Sequence, residues 1–171
     1  MTVSGRRPLR LVVLADTHVQ ARSSRRLPDT AYAHLSEADV VLHAGDVVSP
    51  ALLDELAGFA PVHAVLGNND HDLVGVLPEA VELELAGVRV AMVHDSGASA
   101  GRPGRLRRRF PTAGLVVFGH SHLPYDDLGE GGQRLFNPGS ATWKRTAPRH
   151  TLGRIDLVDG AIGRHELVAL D

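Results

Sequence analysis

The chain has 171 residues, 43% of them hydrophobic and 22% charged, a formal net charge of −2 and no cysteine. That length predicts a single domain over residues 1–171 with a core of its own. The near-neutral charge excludes a general pull on nucleic acid or anionic membrane, and the missing cysteine excludes disulfides, which fits a reducing interior.

In chain order, Met1 to Arg10 is basic and holds Arg6-Arg7. The apolar run behind it, residues 11–15, is shorter than the about 7–15 residues of an export signal. No run approaches the ~20 apolar residues of a membrane helix. The reading is a cytoplasmic protein with a frayed first few residues and no membrane partner.

Runs at 11–15, 40–44 and 61–66 predict buried strands. Each ends in polar residues: Asp16-Thr17-His18, Gly45-Asp46 and Gly67-Asn68-Asn69-Asp70. Between them, Leu27-Pro28-Asp29 opens a helix with Ala31, Leu35 and Ala38 on one face. Ser49-Pro50 opens another, with Ser49 as N-cap, Leu52, Leu53 and Leu56 inward, and Gly58 at its end. Such alternation predicts an α/β fold. From residue 80 the pattern becomes a hairpin, 80–85 and 88–93 around Ala86-Gly87, which predicts a second, more antiparallel sheet. His94 ends it. Gly101 to Phe110 reads as a helix with a basic face. A strand at 115–118 runs into Gly119-His120-Ser121-His122. On an extended segment the two histidines would point the same way. The chain closes with a hairpin around Asp159-Gly160.

Five strands thus deliver Asp16, His18, Asp46, Asn68, His94, His120 and His122 to one sheet edge, where ligand sites gather in α/β proteins. Oxygen and nitrogen donors without a thiol suit two divalent first-row metals. Taken singly, each residue has a plainer role: aspartates cap helices, and Asn favours turns. His43 and His63, inside strands, read as packing residues. His34, His71, His150 and His165 read as surface residues or outer supports of the ligands.

In this order, the five motifs resemble those of the calcineurin-like metallophosphoesterases. The short chain and Asn137-Pro138-Gly139-Ser140 resemble the small phosphodiesterase branch. The resemblance runs from about Arg10 to Ser140 and implies a four-layer αββα sandwich of two mixed sheets flanked by helices. It implies Asp16, His18 and His122 on a first metal, Asn68, His94 and His120 on a second, and Asp46 bridging. The expected cofactors are two divalent ions, Mn²⁺ first and Ni²⁺, Fe²⁺, Co²⁺ or Zn²⁺ as other occupants. The expected reaction is in-line attack on phosphorus by a metal-bridging hydroxide, with the metals about 3.5–4 Å apart. The positions read as catalytic are Asp46, Asn68, His94 and Asn69.

Two positions depart from the resemblance. Many relatives carry a proton-donating histidine where this chain has Asn69, and an amide cannot protonate a leaving group. The small branch reads His-Gly-His where this chain has His94-Asp95-Ser96, and Asp95 there would repel a dianionic monoester. Arg102, Arg105, Arg107, Arg108 and Arg109 read as a solvated helix face, or as a phosphate contact if the helix end faces the metals. Trp143 and Lys144 read as lining the site, or Trp143 as an interior anchor.

The expected partner is a small phosphodiester or nucleotide. Nucleic acid is disfavoured by the charge, and a homo-oligomer is compatible with the sequence. The alternatives are a phosphomonoesterase, a nucleotide pyrophosphatase, a nuclease, or a metal-free scaffold like the retromer subunit of this fold. The filled ligand set speaks against the scaffold.

Overall fold

Leu9–Leu14 (β1) lies at the centre of a five-stranded sheet and is buried on both faces. Its side chains alternate accordingly: Leu11 and Val13 face the second sheet, while Val12 and Leu14 face helices. That double burial is why the run is continuously apolar rather than alternating. The computed structural model describes residues 5–171, so the expected fraying of the first few residues falls largely outside the described residues.

β1 pairs in parallel with Val40–His43 (β2), which pairs in parallel with Val62–Ala64 (β3). On its other side β1 meets Thr151–Val158 (β9), which is antiparallel to it and to Ala161–Ala169 (β10). The second sheet has the order β4-β5-β6-β8-β7, built from Ala80–Leu85, Val88–Val93, Leu115–Val117, Tyr125–Leu128 and Arg134–Asn137 as β4 to β8. Its three central strands, β5, β6 and β8, are parallel, and only its two edges are antiparallel. The expectation of a more antiparallel second sheet is corrected here. Each sheet has two parallel and two antiparallel pairings, because the carboxyl-terminal hairpin joins the first sheet rather than the second.

The sheets pack face to face through Leu11, Val13, Leu42, Val90, Met92, Val117 and Phe136. Asp29–Leu35 (α1) and Pro50–Ala57 (α2) cover the outer face of the first sheet through Ala31, Leu35, Leu52 and Leu56. Arg102–Arg109 (α3) covers the second through Leu106, followed by Phe110. Each fully buried Leu or Phe contributes about 1.5–3 kcal/mol, so all three interfaces hold the layers together. The architecture is the expected αββα sandwich of two mixed sheets.

Local details depart from expectation. α1 ends at Leu35, so Ala38 lies beyond it, and its N-cap is Pro28, which offers no side-chain bond. Ser49 is the N-cap of α2, yet its hydroxyl makes no capping bond. Strands β7 and β8 are too short and polar to stand out in the sequence. No helix of the described residues is long and apolar enough to cross a membrane.

Candidate metal centre

The parallel strands of both sheets end at one edge, and the backbone there leaves the extended region. Asp16, His18, Asp46, His120 and His122 all have positive φ, at 53°, 44°, 56°, 71° and 61°. Side chains other than glycine rarely sit there, and such strain collects at functional sites. The turns are zipped to one another: the Asp16 N–H donates to the Gly45 carbonyl at 2.9 Å and the His18 N–H to that of Asp46 at 3.0 Å. Two glycines permit the crowding. A Cβ on Gly67 would lie 2.2 Å from the Asp46 nitrogen, and one on Gly119 would lie 2.9 Å from the Ala15 Cβ.

All seven expected ligands converge. His18 Nε2 is 3.2 Å and His94 Nε2 3.4 Å from Asp46 Oδ2. His94 and His122 Nε2 lie 3.9 and 3.7 Å from Asp16 Oδ1. Asn68 Oδ1 sits 3.0 Å from His94 Nε2 and 3.2 Å from His120 Nδ1. Two overlapping groups have donor atoms within 4.8 Å of one another, Asp16-His18-His122 and Asp16-Asp46-His94. The first is buried throughout, whereas Asn68 and His120, beside the second, are exposed. Because the backbone at His120 and His122 is left-handed, the two rings do not point the same way as an extended segment would place them. His120 goes to Asn68 and His94, and His122 goes to Asp16.

Residues around the donors orient them. His94 Nδ1–H donates to the Ala44 carbonyl at 2.7 Å, and His122 Nδ1–H donates to that of Trp143. Each bond fixes the tautomer and turns the Nε2 lone pair inward. His43 is more than a packing residue. Its Nδ1 accepts the Gly45 N–H, and its Nε2 is 2.9 Å from the Thr17 hydroxyl, tying the two turns together. Asp70, given no role from sequence, accepts the backbone N–H groups of Asp46, Val48 and Gly67 at 2.9, 2.7 and 2.7 Å. Asn69 holds Asp46 itself, by its backbone N–H to Oδ1 and its amide to Oδ2, both at 2.9 Å. The Asn137–Ser140 segment staples the site from the far strand. The Asn137 amide donates to the Gly119 carbonyl at 3.1 Å, and the Ser140 hydroxyl donates to that of Asp16 at 2.8 Å.

Burial dominates the electrostatics. It pushes Asp16 up to about 7 and the His122 ring down to about 4. His43, fully enclosed, falls to about 3. Burial would raise Asp46 too, but the His18 and His94 imidazoles beside it and the Asn69 N–H outweigh it and hold that carboxylate well below its usual range. For His94 burial acts downward, and the nearby Asp46 and Asp16 carboxylates overcome it to raise the ring. Both oxygens of Asp16 and the Nε2 atoms of His18 and His122 are buried without a hydrogen-bond partner. A divalent cation fits such a donor set, which mixes carboxylate and imidazole.

Two arginines of the basic helix are spent on structure. Arg102 donates to the Ser96 hydroxyl at 2.9 Å and lies over the rings of Phe118 and Tyr125. Arg105 binds the carbonyls of Ser96, Ala98 and Ala100. Arg109 alone of the five lines the cavity shared by Asn68, His94, Asp95 and His120. Trp143 stands beside His18 and His122 rather than in the core.

A carboxylate–imidazole cluster at the carboxyl edge of a four-layer α/β sandwich is the framework of a metal-dependent hydrolase. Residues 9–160 match the calcineurin-like phosphoesterase superfamily domain, and the chain belongs to that superfamily. A probable metallophosphoesterase of Methanothermobacter thermautotrophicus is 34% identical over 151 residues, 84% of either chain. The solution structure of a Thermotoga maritima protein has a TM-score of 0.71 at 32% identity, covering 94% of this chain and 99% of that one. Vps29 of Entamoeba histolytica, in a crystal structure complexed with Zn²⁺, has a TM-score of 0.71 at 22% identity over 95% and 99% of the two chains, a likeness of fold.

Proposed function

We propose that this protein is a dinuclear-metal-dependent phosphodiesterase. The observation that carries the reading is the set of four buried, partnerless donor atoms on Asp16, His18 and His122. A buried polar group left unpaired costs about 1–3 kcal/mol, so four around one point call for a bound cation. Asp16, His18 and His122 would hold one ion; Asn68, His94 and His120 would hold the other, with Asp46 between them. Divalent ions there would supply an activated water and a counter-charge for phosphate, and Mn²⁺ is the ion expected to activate.

The rest is done by the chain. Asp46 stays ionised because two imidazoles stand beside it and Asn69 hydrogen-bonds its charged form. His94 and His122 keep Nε2 for the site because Nδ1 is committed to carbonyls. The exposed Asn68–His120 side is where a phosphate can enter. Asp95 on that rim favours a singly charged diester over a dianion. The Asn69 amide faces Asp46 and offers the leaving group no proton.

The test pairs metal analysis with turnover. Purified protein should bind two divalent ions per chain and cleave an aryl phosphodiester faster than the matching monoester. Asp46→Asn should lose most metal and nearly all turnover while its circular dichroism is retained. Wild-type-like turnover in that variant would sink the two-metal reading.

A further inference from the structure

The metal cluster leaves one neighbouring set of charges without a role. Trp143 is the only tryptophan of the chain, and it is 37% exposed. Its ring meets His18 at 5.0 Å and His122 at 5.3 Å between centroids, so it walls the first cation position from outside. Two guanidiniums lie over that ring, Arg25 at 4.4 Å and Arg145 at 4.8 Å from its centroid. Neither forms a salt bridge among the described residues, whereas Arg7, Arg10, Arg134, Arg154 and Arg164 do. Arg145 sits at φ 50° in a turn closed by the Ala147 N–H to the Lys144 carbonyl at 2.9 Å.

Arg25 lines a pocket of about 500 Å³ that runs from His18 past Gln20, Ser23, Ser24 and Arg26 to Thr142, while Arg145 lies over the Trp143 ring outside that lining. The pocket wall holds hydroxyls, an amide and guanidiniums, with no carboxylate. A guanidinium held over an aromatic face keeps its N–H fork free and pre-oriented. Such a fork matches phosphate oxygens two at a time. The pocket begins at a ligand of the first cation position, so an anion there and a phosphate at the cluster lie side by side.

We propose that this pocket is a second-anion subsite, with Arg25 in its wall and Arg145 across the neighbouring indole as specificity-determining residues that bind a further phosphate of the substrate. The inference rests on the phosphoesterase reading above and narrows it. The substrate class becomes a phosphoester bearing a second, adjacent phosphate, as in nucleoside diphosphates and their esters, rather than an isolated diester. Two partly exposed ion pairs should contribute about tenfold in affinity.

The test uses the whole 171-residue chain, metal-loaded, and two non-hydrolysable probes, methylphosphonate and methylenediphosphonate. Affinities are read by calorimetry, with Trp143 emission as a second signal at the pocket. The preference for the bisphosphonate over the monophosphonate should fall about tenfold in Arg25→Gln/Arg145→Gln, and the paired lysine variant should keep part of it, since its point charge lacks the fork. For an ester carrying a second phosphate, KM should rise in the glutamine variant far more than kcat falls. An unchanged preference overturns the subsite. An equal loss for both probes also overturns it, since the arginines would then hold the scissile phosphate itself. If methylphosphonate shows no metal-dependent binding yet the arginine-dependent preference persists, the phosphoesterase reading fails and the subsite stands. Metal-dependent binding with no arginine effect does the reverse.

Discussion

Asp70 is the sharpest place to perturb the site without touching a donor atom. Its carboxylate is 1% exposed and accepts three backbone N–H groups, with Oδ2 serving Asp46 and Gly67 and Oδ1 serving Val48. Asp70→Asn keeps the shape but leaves one acceptor oxygen. If that oxygen keeps the Asp46 and Gly67 bonds, the new NH₂ faces the Val48 N–H and that donor is orphaned. One lost bond to a charged group, plus weakening of the other two, should cost about 2–3 kcal/mol. In a chain of this size that lowers Tm by about 4–12 °C. The second effect is local. Asp46 has a left-handed backbone at φ 56° that the Asp70 bonds hold in place. Released, its carboxylate should lose alignment, and metal affinity should drop by about 10–100-fold, as when a group that orients a ligand is removed. Urea unfolding in chelator measures the first effect and Mn²⁺ titration the second. A variant with wild-type stability and wild-type metal affinity would refute the claim that this carboxylate organises the Asp46 turn.

Three further outcomes follow from the same geometry. Without metal, Asp16 holds its proton up to about 7 and His94 is raised above 6.5, so the folded chain carries more protons than the unfolded one above about pH 6.5. Stability of the metal-free protein should therefore fall as pH rises through that window, while His122 and His43, lowered to about 4 and about 3, oppose this trend only below it. Bound divalent metal should reverse the slope, because its ligands must be deprotonated; melting curves with chelator and with Mn²⁺ should diverge as pH rises, and parallel curves would contradict the assignment. With Asn69 turned to Asp46, aryl diesters should outrun alkyl diesters by at least the about 10²–10⁴-fold that leaving-group protonation supplies; a flat series with chemistry rate-limiting would point to another acid, His71 first. Gly119→Ala would put a Cβ 2.9 Å from the Ala15 Cβ and 3.0 Å from Asp16 Oδ2, and should cost about 1–3 kcal/mol and weaken metal binding; a neutral result would show that the two sheet ends can separate.

The sequence by itself placed the candidate donors at the strand ends and showed which runs build the inner sheets. A buried parallel strand must be apolar on both faces, so the first polar residue after each run marks the sheet edge, and Asp16, Asp46, Asn68, His94 and His120 could be read off in order. The regular hairpins 80–93 and 151–169 were legible for a related reason, since alternation and a Gly-containing turn are local signals. Tertiary structure alone decided the rest. Where the last hairpin docks depends on which sheet has a free edge at β1, a choice no local pattern encodes. The direction of His120 and His122 depends on two left-handed residues, and those are imposed by bonds to distant strands. The Ser140 hydroxyl reaches a carbonyl 124 residues away, and Asp70 and Asn69 grip a turn 24 and 23 residues earlier. Such partners are set by how the strand ends converge when the two sheets close on a shared core, so the donors can be named from the chain but the groups that aim them emerge only once it is folded.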